Sequence, residues 1–139
     1  MVEKVLSQKD KIEGEQRHVT VMFCDIVGFT SMVEALGPEK AYSLMDEIYE
    51  ILIRNVHDHD GTVNEFTGDG IMALFGAPVA LEGAPQNALR SSLSINQAIG
   101  QLNKHKKEFP PIRMRIGVHT GPVVVGSLGS DLRVEFKAV

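Results

Sequence analysis

The chain has 139 residues, with 14 Lys and Arg against 18 Asp and Glu for a net charge of −4; that length suits one domain with a true core, and the acidity speaks against a nucleic-acid surface, which needs clustered cations. Its 43% hydrophobic and 23% charged residues are those of an ordinary globular protein, and no apolar run approaches the roughly 20 residues of a membrane span. Cys24 is the single cysteine, which excludes an intramolecular disulfide; with no signal-peptide core at the N-terminus, the expected location is cytoplasmic.

Residues 1–16 are polar and read as a linker or the tail of an upstream element, with one domain over 17–139. The run His18-Val19-Thr20-Val21-Met22-Phe23 is β-branched and almost continuously apolar, as expected of a strand covered on both faces. It leads into Cys24, Asp25 and Gly28. Thr30 or Ser31 is placed to cap a short helix through Met32, Val33 and Leu36 that ends at Gly37. Pro38 then opens a second helix, in which Ala41, Leu44, Met45, Ile48, Ile51 and Leu52 recur at helical spacing, and Asp60-Gly61 turns the chain. Val63 to Phe66 and Ile71 to Phe75 predict two strands joined by a tight hairpin, Thr67-Gly68-Asp69-Gly70. After an irregular loop from Gly76 to Gly83, Pro85 opens a long helix with Ala88, Ser92, Ile95, Ile99 and Leu102 on one face. Lys104 to Lys107 suit its C-terminus. Pro110-Pro111 break the chain, Ile112 to His119 alternate as a strand, Gly121-Pro122 predict a turn, and a last strand begins at Leu132. The order β-α-α-β-β-α-β-β predicts an α+β fold, ferredoxin-like, with a mostly antiparallel sheet and the helices packed on one face.

Asp25 and Asp69 each follow or sit within an apolar, strand-like run beside glycine. Aspartate is disfavoured in strands and a buried charge is costly, so both positions ask for a reason. A helix cap and an Asp-Gly hairpin explain each separately. Together the two carboxylates suit Mg2+, which binds through one or two carboxylates plus substrate phosphates; zinc would want Cys or His beside them. Backbone amides at Val27, Gly28, Phe29 and Thr30 precede a helix and offer a phosphate cradle. Arg113 and Arg115, two apart in a strand, share a face, as phosphate-binding arginines or as a solvated surface. Cys24 reads as a small core residue, His57 and His59 as surface residues near a helix end, and His119 as structural.

At this point the residues reach a resemblance. Arg17 to Thr30, with Phe23-Cys24-Asp25-Ile26-Val27-Gly28-Phe29-Thr30 at its centre, resembles the first metal motif of the class III adenylate/guanylate cyclase catalytic domain. Glu65 to Pro78, containing Thr67-Gly68-Asp69-Gly70, resembles the second; Arg113 to Gly121 resembles a third; and Val134-Glu135-Phe136 begins a fourth. The resemblance implies that Asp25 and Asp69, helped by the Ile26 carbonyl, hold two Mg2+ or Mn2+ ions. It implies that the backbone from Val27 to Thr30 contacts phosphates and that Arg115 contacts the triphosphate. The implied reaction converts ATP or GTP to a 3′,5′-cyclic nucleotide and pyrophosphate by in-line attack of the 3′-OH on the α-phosphate, in intracellular signalling. It also implies a head-to-tail homodimer with its sites at the interface, and an attached regulatory domain as a further partner.

Two departures qualify the resemblance. The family's transition-state Asn and Arg belong to a segment after Phe136, beyond Val139, so the domain is expected to be incomplete at its C-terminus and inactive alone. Glu65 stands where adenylate cyclases of the familiar type carry Lys and guanylate cyclases carry Glu, and Lys137 stands where the second purine selector, Asp or Cys, would be. Glu65 can accept from guanine N1–H and N2–H and Lys137 can donate to O6, or the two can pair with each other, which leaves ATP and GTP both open. The alternative function is a degenerate cyclase-like module that binds nucleotide or dimerises and regulates an attached domain. A diguanylate cyclase or polymerase-palm relative shares the carboxylates and topology but fits the glycine motifs less well.

Overall fold

The computed structural model describes residues 15–128 and 131–136. Over them the chain runs β1 (Glu15–Ile26), α1 (Phe29–Leu36), α2 (Pro38–Asp58), β2 (Thr62–Phe66), β3 (Gly70–Phe75), α3 (Ala84–His105), β4 (Met114–Leu128) and β5 (Asp131–Phe136). This is the element order expected from the sequence. The strands form one sheet in the order β2-β3-β1-β4-β5, and every neighbouring pair is antiparallel. The order 2-3-1-4 is the ferredoxin-like arrangement, with β5 added outside β4.

Alternation along β1 divides the core. Met22, Cys24 and Ile26 face the helices and pack with Leu44, Met45, Ile48, Leu52 and Val56 of α2, Ala88, Ile95 and Ile99 of α3, and Ile71, Ala73 and Phe75 of β3. Residues paired across antiparallel strands share a face, so Val19, Val21, Leu74 and Val123 lie on the opposite side, where they form a smaller cluster with Ala77. Both faces of β1 are therefore apolar over Val19 to Met22, which is why its sequence reads as an almost unbroken hydrophobic run. The fully buried Thr20 is matched: Thr20 and Thr120, opposite each other on β1 and β4, bring their hydroxyls to 2.7 Å. Buried Ser91 of α3 donates to the Asn55 carbonyl of α2 at 3.1 Å.

The helices pack largely as their spacing predicts. Pro38 occupies the first turn of α2, and Ala41, Leu44, Met45, Ile48 and Leu52 are buried together with Val56; Ile51 is half-buried against the same cluster. The turn after α2 is pressed against the core: a Cβ on Gly61 would lie 2.6 Å from Phe75 Cε1 and 2.9 Å from Val56 Cγ1. After α3, the Asn103 side chain clamps Ile112, donating to its carbonyl at 2.9 Å and accepting from its N–H at 2.7 Å. That clamp aims the chain into β4.

Four expectations are corrected. The first strand extends beyond His18–Phe23 and includes Cys24, Asp25 and Ile26. Neither Thr30 nor Ser31 caps α1: Gly28, at φ 73° and ψ 36°, is the cap residue and no side chain caps the helix, because a left-handed turn is needed to leave β1 so abruptly. Gly121-Pro122 is no turn; β4 runs through it, with Pro122 opposite His18. The described pairing of β4 with β5 spans Val123 to Leu128. Finally, β4 begins at Met114, so Arg113 lies before the strand. Of the linker expected over residues 1–16, the first 14 lie outside the described residues, and Glu15 and Gln16 belong to β1.

Candidate functional site

Asp25 stands near the end of β1, where its Cα partner on β3 is Gly70 and its Cα partner on β4 is Arg115. Gly70 sets how closely the strands approach. A Cβ there would overlap the Cys24 carbonyl oxygen and lie 2.6 Å from Asp25 Cα, so only glycine fits. The β2–β3 hairpin consequently folds its tip over the end of β1, and the Ile26 N–H donates to the Asp69 carbonyl at 2.8 Å. Within the tip, Gly68 takes φ 89°, the Thr67 N–H donates to the Gly70 carbonyl at 2.9 Å, and the Thr67 hydroxyl donates to Asp69 Oδ1 at 3.3 Å. Two carboxylate-bearing residues 44 positions apart in the sequence thus meet at one corner of the sheet.

On the β4 side, the Arg115 guanidinium forks onto Asp25, with Nε 3.2 Å from Oδ1 and Nη2 3.3 Å from Oδ2. The Arg115 side chain is 73% exposed and that of Asp25 29%, so the pair borders solvent. Below Asp25, the Cys24 thiol is buried, and its pKa is pushed up to about 12 by loss of hydration and, secondarily, by the Asp25 charge. Cys24 is a protonated core residue, as its apolar neighbours suggested.

The first turn of α1 lies next to this corner. The earliest helical bond runs from Met32 N–H to the Gly28 carbonyl at 3.0 Å, which leaves the amides of Phe29 and Thr30 without intrahelical acceptors, at the positive end of the helix dipole. Val27 is a correction: its N–H donates to the Arg113 carbonyl at 2.9 Å and is not free to meet a phosphate. That bond also gives Arg113 its place, holding the start of β4 beside the turn into α1.

Tyr49 was not singled out in the sequence, being hidden in the apolar stripe of α2. Its ring meets Phe66 edge-on, with centroids 5.2 Å apart and planes at 84°. Burial raises its phenol pKa, a bond with the Gly68 backbone opposes that shift, and the Asp69 charge adds to it. Tyr49 therefore braces the hairpin that carries Asp69. Its helical phase between Met45 and Leu52 was the available signal. His57 is exposed, whereas His59 Nδ1 lies 2.7 Å from the Asn55 carbonyl at the end of α2.

The donors around the corner are oxygens. Among the described residues, no three His, Cys, Asp or Glu side chains cluster as a metal cage. Carboxylate oxygens are the donors that suit a hard cation such as Mg2+ or Mn2+. Glu65, on β2, is exposed and pairs with Met72, which in turn pairs with Phe23; it shares the helix-free face with Asp25 but stands two strands away. Lys137 lies outside the described residues. No helix among the described residues is long and apolar enough to cross a membrane.

Comparison with known proteins follows the same outline. The model of the adenylate and guanylate cyclase catalytic domain matches residues 12–136. Adenylate cyclase 1 of Rhizobium meliloti (strain 1021) is 34% identical over 126 residues, 89% of this chain and 19% of that protein. The crystal structure of the guanylyl cyclase Cya2 superposes with a TM-score of 0.77 at 33% identity, covering 91% of this chain and 66% of that one. An adenylyl cyclase from P. aeruginosa superposes with a TM-score of 0.76 at 26% identity, covering 88% and 65%. The chain thus spans about a fifth of the curated relatives it matches, 19% and 23% in the first two. On the family match over almost its whole length, the chain belongs to the adenylate and guanylate cyclase catalytic-domain family.

Proposed function

We propose that this domain forms a 3′,5′-cyclic nucleotide and pyrophosphate from ATP or GTP, with Asp25 and Asp69 holding two Mg2+ or Mn2+ ions. The observation that carries the reading is the meeting of Asp25 and Asp69 at one corner, enforced by Gly70 and the Ile26–Asp69 bond. When bound, the cation pair lowers the pKa of the ribose 3′-OH and neutralises charge on the α-phosphate. Asp25, Asp69 and the Ile26 carbonyl fix its position. The amides of Gly28, Phe29 and Thr30 receive phosphate oxygens at the N-terminus of α1, and Arg115 binds the triphosphate. Glu65 accepts hydrogen bonds from the purine edge, which favours guanine on chemical grounds, while relatives named for either substrate match this chain similarly well.

The same reading makes the active assembly a homodimer with sites shared between copies and gives the domain a place in cytoplasmic signalling beside a regulatory domain. The test is formation of cyclic nucleotide from ATP and from GTP with Mn2+, in this chain and in a longer chain that carries it, alongside Mn2+ binding. Asp25→Ala and Asp69→Ala should each abolish turnover and weaken Mn2+ binding by tenfold or more, a loss of about 1.4 kcal/mol at the least. Unchanged binding and turnover in both variants would overturn the assignment. Metal-dependent nucleotide binding with no turnover in either chain would support the regulatory-module reading instead.

A further inference from the structure

The fork between Arg115 and Asp25 has a consequence for how the site loads. Both Asp25 carboxylate oxygens accept from the guanidinium, at 3.2 and 3.3 Å. A Mg2+ ion sits about 2.1 Å from a carboxylate oxygen, so a cation on either oxygen would lie within about 5 Å of a guanidinium nitrogen carrying charge of the same sign. The cation and Arg115 compete for Asp25. Arg115 is free to leave: its side chain is 73% exposed, and an exposed ion pair holds only weakly.

We propose that Arg115 is the metal-free counter-ion of Asp25 and changes partner, from this carboxylate to the triphosphate, as the divalent cation enters. The inference rests on the metal assignment above and deepens it. An arginine that only bound phosphate would leave cation affinity unaltered in the absence of nucleotide. An arginine that vacates Asp25 opposes the cation until a triphosphate draws it away, so cation and nucleotide load together. This coupling is reciprocal by thermodynamic linkage. It also keeps the Asp25 charge compensated in the empty state, next to a buried Cys24.

The experiment uses the nucleotide-free chain. Mn2+ binding is followed by loss of the free-ion EPR signal in the wild type, Arg115→Ala and Arg113→Ala. Arg115→Ala should bind Mn2+ about two- to fivefold more tightly than wild type, the size of an exposed ion pair. Arg113→Ala removes the same charge from an exposed residue just before β4 and should change binding less. Equal or weaker binding in Arg115→Ala overturns the proposal, as does an equal gain in Arg113→Ala, which would mark a diffuse field rather than exchange of partners.

A second readout needs no affinity difference. In 15N spectra the Arg115 Nε–H signal should move on adding millimolar Mg2+ to the position it takes in metal-free Asp25→Asn. A signal that stays in place overturns the proposal. The parent assignment fails separately, if Asp25→Asn and Asp69→Asn leave Mn2+ binding unchanged.

Discussion

Gly70→Ala is the sharpest test of how the fold makes the site. The added methyl would overlap the Cys24 carbonyl oxygen and stand 2.6 Å from Asp25 Cα, about 1 Å inside ordinary carbon–carbon contact. Both obstacles are backbone atoms of β1, which no side-chain rotation relieves, so β3 must move off β1 by a similar amount. The 2.8 Å bond from Ile26 N–H to the Asp69 carbonyl would then be lost. Overpacking costs about 1–3 kcal/mol and the bond about 0.5–1.5 kcal/mol, which together predict a loss of about 1.5–4.5 kcal/mol. For a domain of this size that lowers Tm by roughly 5–15 °C. Gly68→Ala is the control. It meets nothing within 4 Å and suffers only from φ 89°, at about 1–2 kcal/mol. Urea midpoints by circular dichroism, with Mn2+ titrations at a temperature where both variants are folded, separate the two. Gly70→Ala should lose more stability and bind Mn2+ more weakly, because Asp69 shifts away from Asp25. The reasoning is refuted if Gly70→Ala is no less stable than Gly68→Ala and binds Mn2+ as the wild type does.

Three further outcomes follow from the structure. Glu65→Ala should lower turnover of GTP about tenfold or more relative to ATP, since a hydrogen bond to a charged acceptor contributes about 1.5–3 kcal/mol; parallel loss on both substrates would remove Glu65 from purine selection. Tyr49→Phe keeps the ring against Phe66 but loses the bond with the Gly68 backbone, and should cost about 0.5–1.5 kcal/mol in urea unfolding, with weaker Mn2+ binding as the hairpin loosens. The Cys24 thiol titrates at about 12 in the folded chain against 9.0 ordinarily, so the native state keeps a proton that the unfolded state gives up. Its stabilising contribution is complete below pH 9 and is lost as pH rises from there towards 12, at up to about 1.4 kcal/mol per pH unit. The drop in urea midpoint between pH 8 and pH 10 should therefore be smaller in Cys24→Ala than in wild type, and equal drops would count against the buried thiol.

The parts of the fold that were legible rest on periodicity. The stripe of Ala41, Leu44, Met45, Ile48 and Leu52 and the run from Val19 to Met22 needed no knowledge of their partners, because burial of one helix stripe and of both strand faces leaves a direct imprint on residue type. Asp25 and Asp69 stood out because each breaks an apolar run beside glycine. What stayed hidden depends on contacts distant in sequence. Pro122 looked like a turn because its partner across the ladder, His18 of β1, lies 104 residues away in sequence. Val27 looked open to phosphate because its acceptor, the Arg113 carbonyl, is 86 residues away. Gly70 read as an ordinary hairpin glycine, whereas its absent Cβ is what lets two strands close on Asp25.

The placement of Glu65 leads to a prediction about assembly. Glu65 is opposite Met72 and Met72 is opposite Phe23, while Asp25 is opposite Gly70. Glu65 and Asp25 therefore stand two strand spacings apart, about 10 Å, and a further two-residue step along the sheet. Strand β3, with Met72 and Gly70, lies between them, and Phe23, 47% exposed on the helix-free face, stands beside the gap. A purine on Glu65 and a triphosphate at Asp25 of the same chain would have to span that distance across β3. If two copies instead meet head to tail on this face, Glu65 of one faces the carboxylates of the other. Mixing decides between these arrangements in a chain whose wild-type form turns over. Glu65→Ala and Asp25→Ala homodimers each carry defects at both sites. In the mixed dimer, shared sites put both defects into one site and leave the other intact. Equal mixing then restores up to about a quarter of wild-type turnover, since half the dimers are mixed and each has one good site. Sites built within one chain would leave every site defective. Activity that does not rise on mixing, with exchange of subunits shown independently, would place the whole site in a single chain.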